Sequence, residues 1–196
     1  MNPMSTGTSI LSSSYLVGQF LVSMPAMADP RFENTVIYMC HHASDGAMGL
    51  VVNRCIEDLA FRDILAQLDI KPGRSCDDIR VHRGGPVETS RGFVLHTTDY
   101  KREGTLVVSS DIALSATTEV LRAIAGGEGP SRSLMALGYA GWGEGQLDEE
   151  IKQNAWLSVP ADLDLLFADD LGSKWVRALG KLGINPAMLS ASAGHA

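Results

Sequence analysis

One segment, residues 136–156, limits the possible folds more than any other part of the chain. It passes from an apolar run into a glycine-rich turn that holds Trp142, then into an acidic stretch, and it ends at Trp156. The apolar run has no polar face, which predicts a buried central strand over Ser133–Tyr139. Three consecutive acids suit the first turn of a following helix over Gln146–Asn154, because the helix dipole favours negative charge there. The segment therefore predicts a strand, a tight turn and a helix in direct succession.

The length and charge of the chain exclude several classes of protein. A chain of 196 residues, 45% hydrophobic and 20% charged, can bury its own core and is globular. Its net charge of −7 repels phosphate, which argues against direct DNA binding. The stretch 71–102 has a basic excess, with seven Lys and Arg residues against four acids. These charges either average out on a solvated surface, which is the favoured explanation, or form a local face that attracts anions.

Neither a targeting signal nor a membrane segment is expected. The first basic residue is Arg31, so the charged start of a secretory signal is missing, and no apolar run reaches the roughly 18 residues that a membrane helix needs. Three cysteines without a CxxC or Cys–His pairing indicate free thiols in a reducing compartment. We expect a cytoplasmic protein without membrane contact. Residues 1–14 are predicted to form a mobile tail, and residues 15–196 a single domain.

Segments typical of strands and of helices alternate along the chain. Apolar and β-branched runs predict strands at Tyr15–Met24, Thr35–His41, Ala47–Asn53, Ile79–His82, Gly92–Thr97, Thr105–Ser109, Ser133–Tyr139 and Trp156–Val159. Apolar residues at helical spacing predict helices at Leu59–Leu68, Ser115–Ile124, Gln146–Asn154, Asp162–Ala168 and Ser173–Leu182, with one more turn after Asn185. Ser115 is expected to cap its helix, and Gly126–Gly127 to end it. Because these pieces interleave, one α+β domain is favoured over two.

Three glycine-containing segments form the candidate binding surface, namely residues 41–54, residues 83–87 with 90–96, and residues 136–156. Glycine permits close approach of the backbone, and exposed N–H groups beside arginine side chains can cradle an anion. The simpler explanation, tight turns between strands, is the favoured one. Neither a Walker A motif nor a G-x-G-x-x-G fingerprint is present. The candidate ligand-binding residues are His42, Asn53, Gly84, Gly85, Arg91, His96 and Trp142.

The chain contains no recognisable motif for catalysis or for metal binding. HExxH and G-x-S-x-G sequences are absent. His41 and His42 are neighbours, so on a strand they point to opposite faces. We predict no metal, no cofactor and no catalytic residue. The alternative is an enzyme of unknown reaction in which His42 or His96 acts as a general base beside Arg91.

Together the three segments resemble the AlgH/YqgE family of small bacterial proteins, from about Leu16 to the end of the chain. The residues that carry the resemblance are Pro25, Asp29, Phe32, His42, Gly46–Ala47, Gly49–Asn53, Gly84–Val87, Arg91–His96, Gly138–Trp142, Gly145–Leu147, Glu150, Asn154 and Trp156–Leu157. His41 and Asp148 depart from the usual pattern, which affects electrostatic details. The resemblance implies a cytosolic α+β domain whose bent mixed sheet folds into a pseudo-barrel with helices packed outside. It also brings a transcriptional-regulator label, but no settled activity, cofactor or catalytic residue.

Three functions are compatible with the sequence. The first is a non-enzymatic regulatory or binding protein that recognises a small anionic ligand or a protein partner through the candidate surface. The second is the enzyme of unknown reaction. The third, direct DNA binding, could rest only on residues 71–102, and no predicted helix carries a cluster of Lys and Arg. Trp142 either packs in the structure, which is favoured, or stacks on a ligand ring.

Overall fold

Ten strands and six helices make up residues 16–192, the part of the chain that this computed structural model describes, with side chains to residue 189. The strands are β1 Gln19–Ser23, β2 Val36–Ala43, β3 Gly46–Val51, β4 Cys55–Ala60, β5 Arg80–Arg83, β6 Val87–Thr97, β7 Leu106–Val107, β8 Ile112–Ser115, β9 Ser133–Trp142 and β10 Trp156–Pro160. The helices are α1 Phe61–Gln67, α2 Thr118–Gly126, α3 Gln146–Lys152, α4 Leu163–Leu166, α5 Lys174–Gly180 and α6 Pro186–Ser192. Short 3-10 turns at Pro30–Phe32 and Arg74–Cys76 precede β2 and β5.

Strand β9 lies at the centre of the sheet, as its lack of charged residues predicts. Its first half pairs with two strands at once, parallel with β5 and antiparallel with β6. Its second half pairs antiparallel with β3. The change of partner falls at Gly138, whose φ of +72° is readily adopted only by glycine. Strand β9 therefore joins two half-sheets that bend away from each other at this residue.

The strands follow the order β10–β1–β2–β3–β9–β6–β8–β7, and β4 is attached through β5. The parallel β5–β9 pair makes the sheet mixed. Apolar side chains from seven of these strands meet in the largest core cluster, together with residues of α4 and α5. A shared cluster of this kind requires the strands to curl around it, so it marks the concave face of a half-barrel. The α4–α5 pair covers part of that face.

Helices cover the convex face in two separate layers. Helices α1 and α2 pack over β5, β6 and β9 around Leu65, Val94 and Leu121. Helix α3 packs over β1, β2, β3 and β10, where Leu147 and Trp156 are buried. Each fully buried large apolar side chain of this kind contributes about 1.5–3 kcal/mol to the folded state. The three clusters therefore hold the curled sheet from both sides.

The predicted α+β fold with a bent mixed sheet is confirmed, and most predicted elements lie within a few residues of their observed positions. Two strands were missed. Strand β4 has no clean alternation of buried and exposed residues, and β8 is only four residues long and lies directly before a predicted helix. The predicted mobile tail, residues 1–14, lies outside the described residues, so that expectation stays a prediction.

Two of the three predicted helix ends agree with the structure, and one does not. Gly127 ends α2 in the left-handed region with a φ of +79°, as predicted. The Asn185 side chain accepts a hydrogen bond from the Ala187 N–H, as expected of a residue that caps α6. The predicted cap at Ser115 is wrong, because α2 begins three residues later and its N-cap is Thr117. The Ser115 hydroxyl bonds to His96 instead.

Candidate functional site

A groove of about 620 Å³ opens at one end of the concave face, between the β2–β3 turn and strands β6, β8 and β9. We call it the mouth groove. Its volume lies in the range of small-molecule binding sites, about 300–1,000 Å³. The lining is largely apolar and aromatic with a few charged groups, and comprises His41, Asp45, Gly46, Ala47, Met48, Val87, Arg91, Phe93, Gly104, Leu106, Leu114, Ala116, Tyr139, Gly141 and Trp142.

Arg91 brings a positive charge to the mouth groove, and its side chain lies over the Phe93 ring. Its guanidinium carbon lies 5.1 Å from the centre of the Phe93 ring, within range of a cation–π contact. Its Nη1 lies 3.3 Å from Oε2 of Glu88. Glu88 has a left-handed φ of +45° at a register irregularity of β6, an uncommon backbone state for this residue type. The backbone of β6 thus turns the carboxylate towards Arg91 and leaves more than half of the Arg91 side chain exposed.

Tyr139 lines the groove beside Phe93. Its ring packs edge-on against Phe93, with 5.8 Å between the ring centres. Burial, and then the hydrogen bond with the Glu88 carboxylate, raise the pKa of the Tyr139 hydroxyl. Tyr139 therefore stays protonated across the physiological range and can donate a hydrogen bond. Glu88, Arg91, Phe93 and Tyr139 make one polar and aromatic cluster.

Trp142 is a fixed wall rather than a mobile cover. Its indole Nε1 donates to Oε2 of Glu150 at 2.9 Å, and the Nε1 of Trp156 donates to the same oxygen at 2.9 Å. The other oxygen of Glu150 accepts from Gln146 at 3.0 Å. The two indole rings meet edge-on, with 5.9 Å between their centres. One carboxylate on α3 thus fixes both tryptophans, which explains why the segment combines these residues.

The predicted anion cradle at Gly84 and Gly85 is a crossing point of the backbone. A Cβ atom at either glycine would lie far inside van der Waals contact with the backbone of β9, at Gly138 and at Tyr139 respectively. The N–H of Gly84 already donates to the Leu137 carbonyl at 2.8 Å. That donor is therefore not available to an anion. Glycine is required here because two chain segments touch.

Asn53 and His42 also have structural partners. The side-chain oxygen of Asn53 accepts from the Val36 N–H at 2.9 Å, and its amide donates to the Asn34 carbonyl at 2.9 Å. His42 is buried, and its Nδ1 accepts from the Leu16 N–H at 3.1 Å. Both side chains therefore tie loops to β2 and lie outside the mouth groove.

His96 is fully buried on the far side of β6. Its Nδ1 bonds to the Thr97 carbonyl at 2.9 Å, and its Nε2 bonds to the Ser115 hydroxyl at 2.8 Å. A carbonyl can only accept, so Nδ1 carries the proton and Nε2 accepts. Burial lowers the pKa of His96. The ring is a neutral structural link between β6 and β8.

Residues 20–187 match a family whose description reads AlgH-like. The chain belongs to the AlgH-like family. A UPF0301 protein of Rhodospirillum rubrum is 60% identical over 93% of this chain and 95% of that protein. A second UPF0301 protein, from Cereibacter sphaeroides, is 52% identical over 92% of this chain and 99% of its own length. The solution structure of AlgH from Pseudomonas aeruginosa, 44% identical, superposes with a TM-score of 0.77 over 100% of both chains.

In this AlgH-like protein, two of the seven candidate residues, Arg91 and Trp142, line the mouth groove. The alternative that placed His42 or His96 beside Arg91 is not supported by the geometry. Neither histidine lines the groove, and His96 lies on the face of β6 opposite to Phe93, against which Arg91 packs. Phe93 and Tyr139, which the sequence did not single out as candidates, also line the groove, and Glu88 bonds to Arg91 beside it. Alternation along β6 relates Phe93 to Arg91, but no local pattern reveals the long-range pairing with β9.

The described part of the AlgH-like chain offers neither a cluster of metal-binding side chains nor a membrane-spanning helix. Over residues 16–192, no group of three or more His, Cys, Asp and Glu side chains comes close enough to hold a metal ion. In that same part of the chain, no helix is long and apolar enough to cross a bilayer. The mouth groove, at about 620 Å³, is large enough to hold a small molecule.

Proposed function

We propose that this AlgH-like protein is a non-enzymatic binding protein that holds a small anionic ligand in the mouth groove. The observation that carries the proposal is the position of Arg91, which presents a half-exposed guanidinium above Phe93 in a groove of ligand size. A guanidinium recognises carboxylate or phosphate through paired hydrogen bonds. The rings of Phe93 and Tyr139 offer surface for the apolar or planar part of the same ligand.

The chemistry of the groove supports binding over catalysis. Its described lining includes no serine, threonine, cysteine or lysine that could act as a nucleophile. His41 is an exposed histidine whose Nε2 lies 3.1 Å from Asp45 at the groove edge. Arg91 and Glu88, together with Tyr139, are groups that position a ligand rather than react with it. A regulatory role would then come from the change in surface or stability that the ligand produces.

The direct test is a thermal-shift screen with nucleotides and with carboxylate and phosphate metabolites. The wild-type protein is compared with Arg91→Ala and with Arg122→Ala, which removes an exposed arginine on α2 as a matched control. We expect at least one anionic compound to raise the melting temperature of the wild type and of Arg122→Ala, with the shift lost in Arg91→Ala. Absence of any shift, or an equal shift in all three proteins, would contradict the proposal.

A protein partner is the second candidate, and the edge of the sheet favours it. Strand β7 ends the strand order, and its two residues, Leu106 and Val107, are 52% and 50% exposed. Leu106 also lines the mouth groove. An extended apolar peptide could pair with this edge and place a side chain in the groove. The wild-type protein is immobilised beside two variants, Leu106→Asp and the control Val176→Asp, which alters an equally exposed valine. The wild type and Val176→Asp should retain such a partner, and Leu106→Asp should release it. Equal retention by all three would remove this candidate.

Direct DNA binding has little physical support. The net charge is −7, and two of the arginines of stretch 71–102 occupy different surfaces. Arg91 lies in the mouth groove, and Arg80 donates to the Asp169 carbonyl near α4. A gel-shift titration at low salt, where phosphate contacts are strongest, should show no complex. Formation of a complex that weakens steeply with salt would restore this function.

A further inference from the structure

A second, smaller cavity lies between β5, the start of β9 and the α4–α5 region, away from the mouth groove. We call it the basal cavity. Its volume is about 120 Å³, well above the roughly 10–15 Å³ that a single water needs. Five of its lining residues are ionisable, namely Asp78, Arg80, His82, Asp169 and Lys174. Two of these five, His82 and Lys174, are buried.

Lys174 is a buried ammonium without a close counter-ion. Its side chain is 1% exposed. The Nζ donates to the carbonyl of Val52 at 2.9 Å and to that of Leu166 at 2.7 Å. An ammonium has three hydrogens, so one remains for a further acceptor. Among the described residues no carboxylate lies within ion-pair distance of Lys174. A buried charge of this kind is costly unless an anion accompanies it.

His82 supplies an acceptor that nothing in the described chain uses. The ring is 6% exposed, and its Nδ1 donates to the Met135 carbonyl at 3.2 Å. The other nitrogen, Nε2, is buried and has no hydrogen-bond partner. Burial, and then the charge of Lys174, lower the pKa of His82 to about 4. The ring is therefore neutral near pH 7, and its Nε2 needs a donor.

The charged residues at the rim of the basal cavity are exposed, unlike the buried Lys174 inside it. Asp78, Arg80 and Asp169 are exposed, and Arg80 donates to the Asp169 carbonyl at 2.8 Å. Solvent weakens these rim charges without removing them, and the buried charge among the lining residues is that of Lys174. Two rim carboxylates disfavour an anion with more than one negative charge. A single water could donate to His82 but would bring no negative charge to Lys174.

We propose that the basal cavity binds a small hydroxylated carboxylate, whose carboxylate accepts from Lys174 and whose hydroxyl donates to the Nε2 of His82. A two- or three-carbon 2-hydroxy acid carries both groups within the size of the cavity. It has one negative charge, which matches one buried ammonium. Such a ligand would satisfy the free hydrogen of Lys174 and the free acceptor of His82 together. The site is independent of the mouth groove and of the ligand proposed there.

The test uses the full-length protein titrated with sodium glycolate and sodium lactate, with acetate as the probe that lacks a hydroxyl. The ¹⁵N resonance of His82 Nε2 reports whether a donor arrives at that atom. We expect this resonance to shift saturably with glycolate or lactate. Acetate should bind at least tenfold more weakly than either hydroxy acid. No saturable change with either hydroxy acid would overturn the proposal and leave an ordered water as the only occupant. Equal affinity for acetate would also overturn it, because the hydroxyl would then play no part.

A variant checks the role of the ammonium. Lys174→Met keeps the length of the side chain and removes the charge, and Lys71→Met, at an exposed lysine, is the matched control. We expect the hydroxy-acid response to be lost in Lys174→Met and unchanged in Lys71→Met. An unchanged response in Lys174→Met would overturn the proposal. If Lys174→Met does not fold, the comparison of glycolate with acetate on the wild type decides alone.

Discussion

The mouth groove and the basal cavity differ in how their polar groups are satisfied. In the groove, Arg91 is more than half exposed and already faces Glu88. In the cavity, Lys174 and His82 are almost completely buried, and each has bonding capacity left over. The groove is five times larger by volume, about 620 Å³ against about 120 Å³. A large open surface therefore offers shape and weak charge contacts, and a small cavity lined by buried polar groups offers strong hydrogen bonds to very few molecules.

A single short stretch of chain connects the two regions. It runs from His82 in β5, through Gly84 and Gly85, to Arg91 in β6. Where it crosses β9, the backbones touch, and side chains cannot be accommodated. The glycines therefore set the position of both regions without contributing to either. Variants at the crossing should disturb both regions, and variants within one region should leave the other intact.

The largest effect is expected for Gly85→Ala. The added Cβ would clash with the backbone of Tyr139 and Ala140, which cannot move without breaking the pairing of β9. We expect a loss of more than about 3 kcal/mol in the free energy of unfolding, measured by urea denaturation. Gly126→Ala is the control, because nothing lies within 4 Å of a Cβ at that helical position, and it should be neutral or stabilise by up to about 1 kcal/mol. Similar stability of the two variants would show that the crossing is not tight.

The next effect is a pH dependence that arises from the basal cavity. Burial lowers the pKa of Lys174 from 10.5 to about 8, so between these values the unfolded chain binds more protons than the folded one. The free energy of unfolding contributed by this group therefore rises as pH increases from about 8 to 10.5, by up to about 3 kcal/mol. Lys174→Met should lack this rise.

The difference between the two stability curves isolates Lys174. Tyr38 and Cys40, whose pKa values burial raises to about 12, destabilise both proteins equally at high pH and cancel. Unfolding is followed in buffers free of hydroxy acids, so that no ligand obscures the titration. Parallel curves for wild type and Lys174→Met would mean that the Lys174 ammonium is not buried in solution.

A smaller loss of stability is expected for Glu150→Ala in the wall of the mouth groove. The variant leaves the indole N–H groups of Trp142 and Trp156 without their acceptor, which costs about 2–3 kcal/mol. The near-ultraviolet circular dichroism of the tryptophans should weaken as the pair loosens. Glu149→Ala, which removes an exposed neighbour on the same helix, should leave the spectrum unchanged. An intact spectrum in Glu150→Ala would show that packing alone fixes the rings.

The smallest effect on stability is expected for Arg91→Ala. Its ion pair with Glu88 is exposed, and such pairs contribute about 0–1 kcal/mol. We expect a change in the free energy of unfolding below about 1 kcal/mol, together with an unchanged His82 resonance in the basal cavity. A larger loss would mean that Arg91 is part of the structure, which would weaken its assignment to a ligand.

Much of the fold could be predicted from local patterns, because these patterns report burial. The apolar run of β9 and the acidic start of α3 are read correctly from residue types alone. Strand β4 escaped detection because its residues are partly exposed on both faces. The start of α2 was misplaced because serine suits both a cap and a buried hydrogen bond, and only the neighbourhood of His96 decides between them.

The candidate sites were less predictable, because they depend on pairing between distant parts of the chain. Arg91 meets Tyr139 through the β6–β9 ladder, which no spacing within either segment encodes. Lys174 comes from a helix that follows β10, and its acceptor Val52 lies 122 residues earlier. A lysine in an amphipathic helix ordinarily points to solvent, so the sequence gives no sign of its burial. Gly84 and Gly85 do mark a close approach, as the sequence predicts, but the approaching group is backbone rather than ligand.

The central position of β9 has a consequence for synthesis of the protein. The strand joins both half-sheets, but it follows β3 in the sequence by roughly 90 residues. At about 5–20 residues per second, a ribosome needs about 5–20 s to make that length. During this interval β3, and later β6 once it has been made, expose unpaired edges of the kind that aggregate. Newly made chains should therefore depend on chaperones until Trp142 has emerged, and codon changes that slow translation before β9 should lower the yield of folded protein.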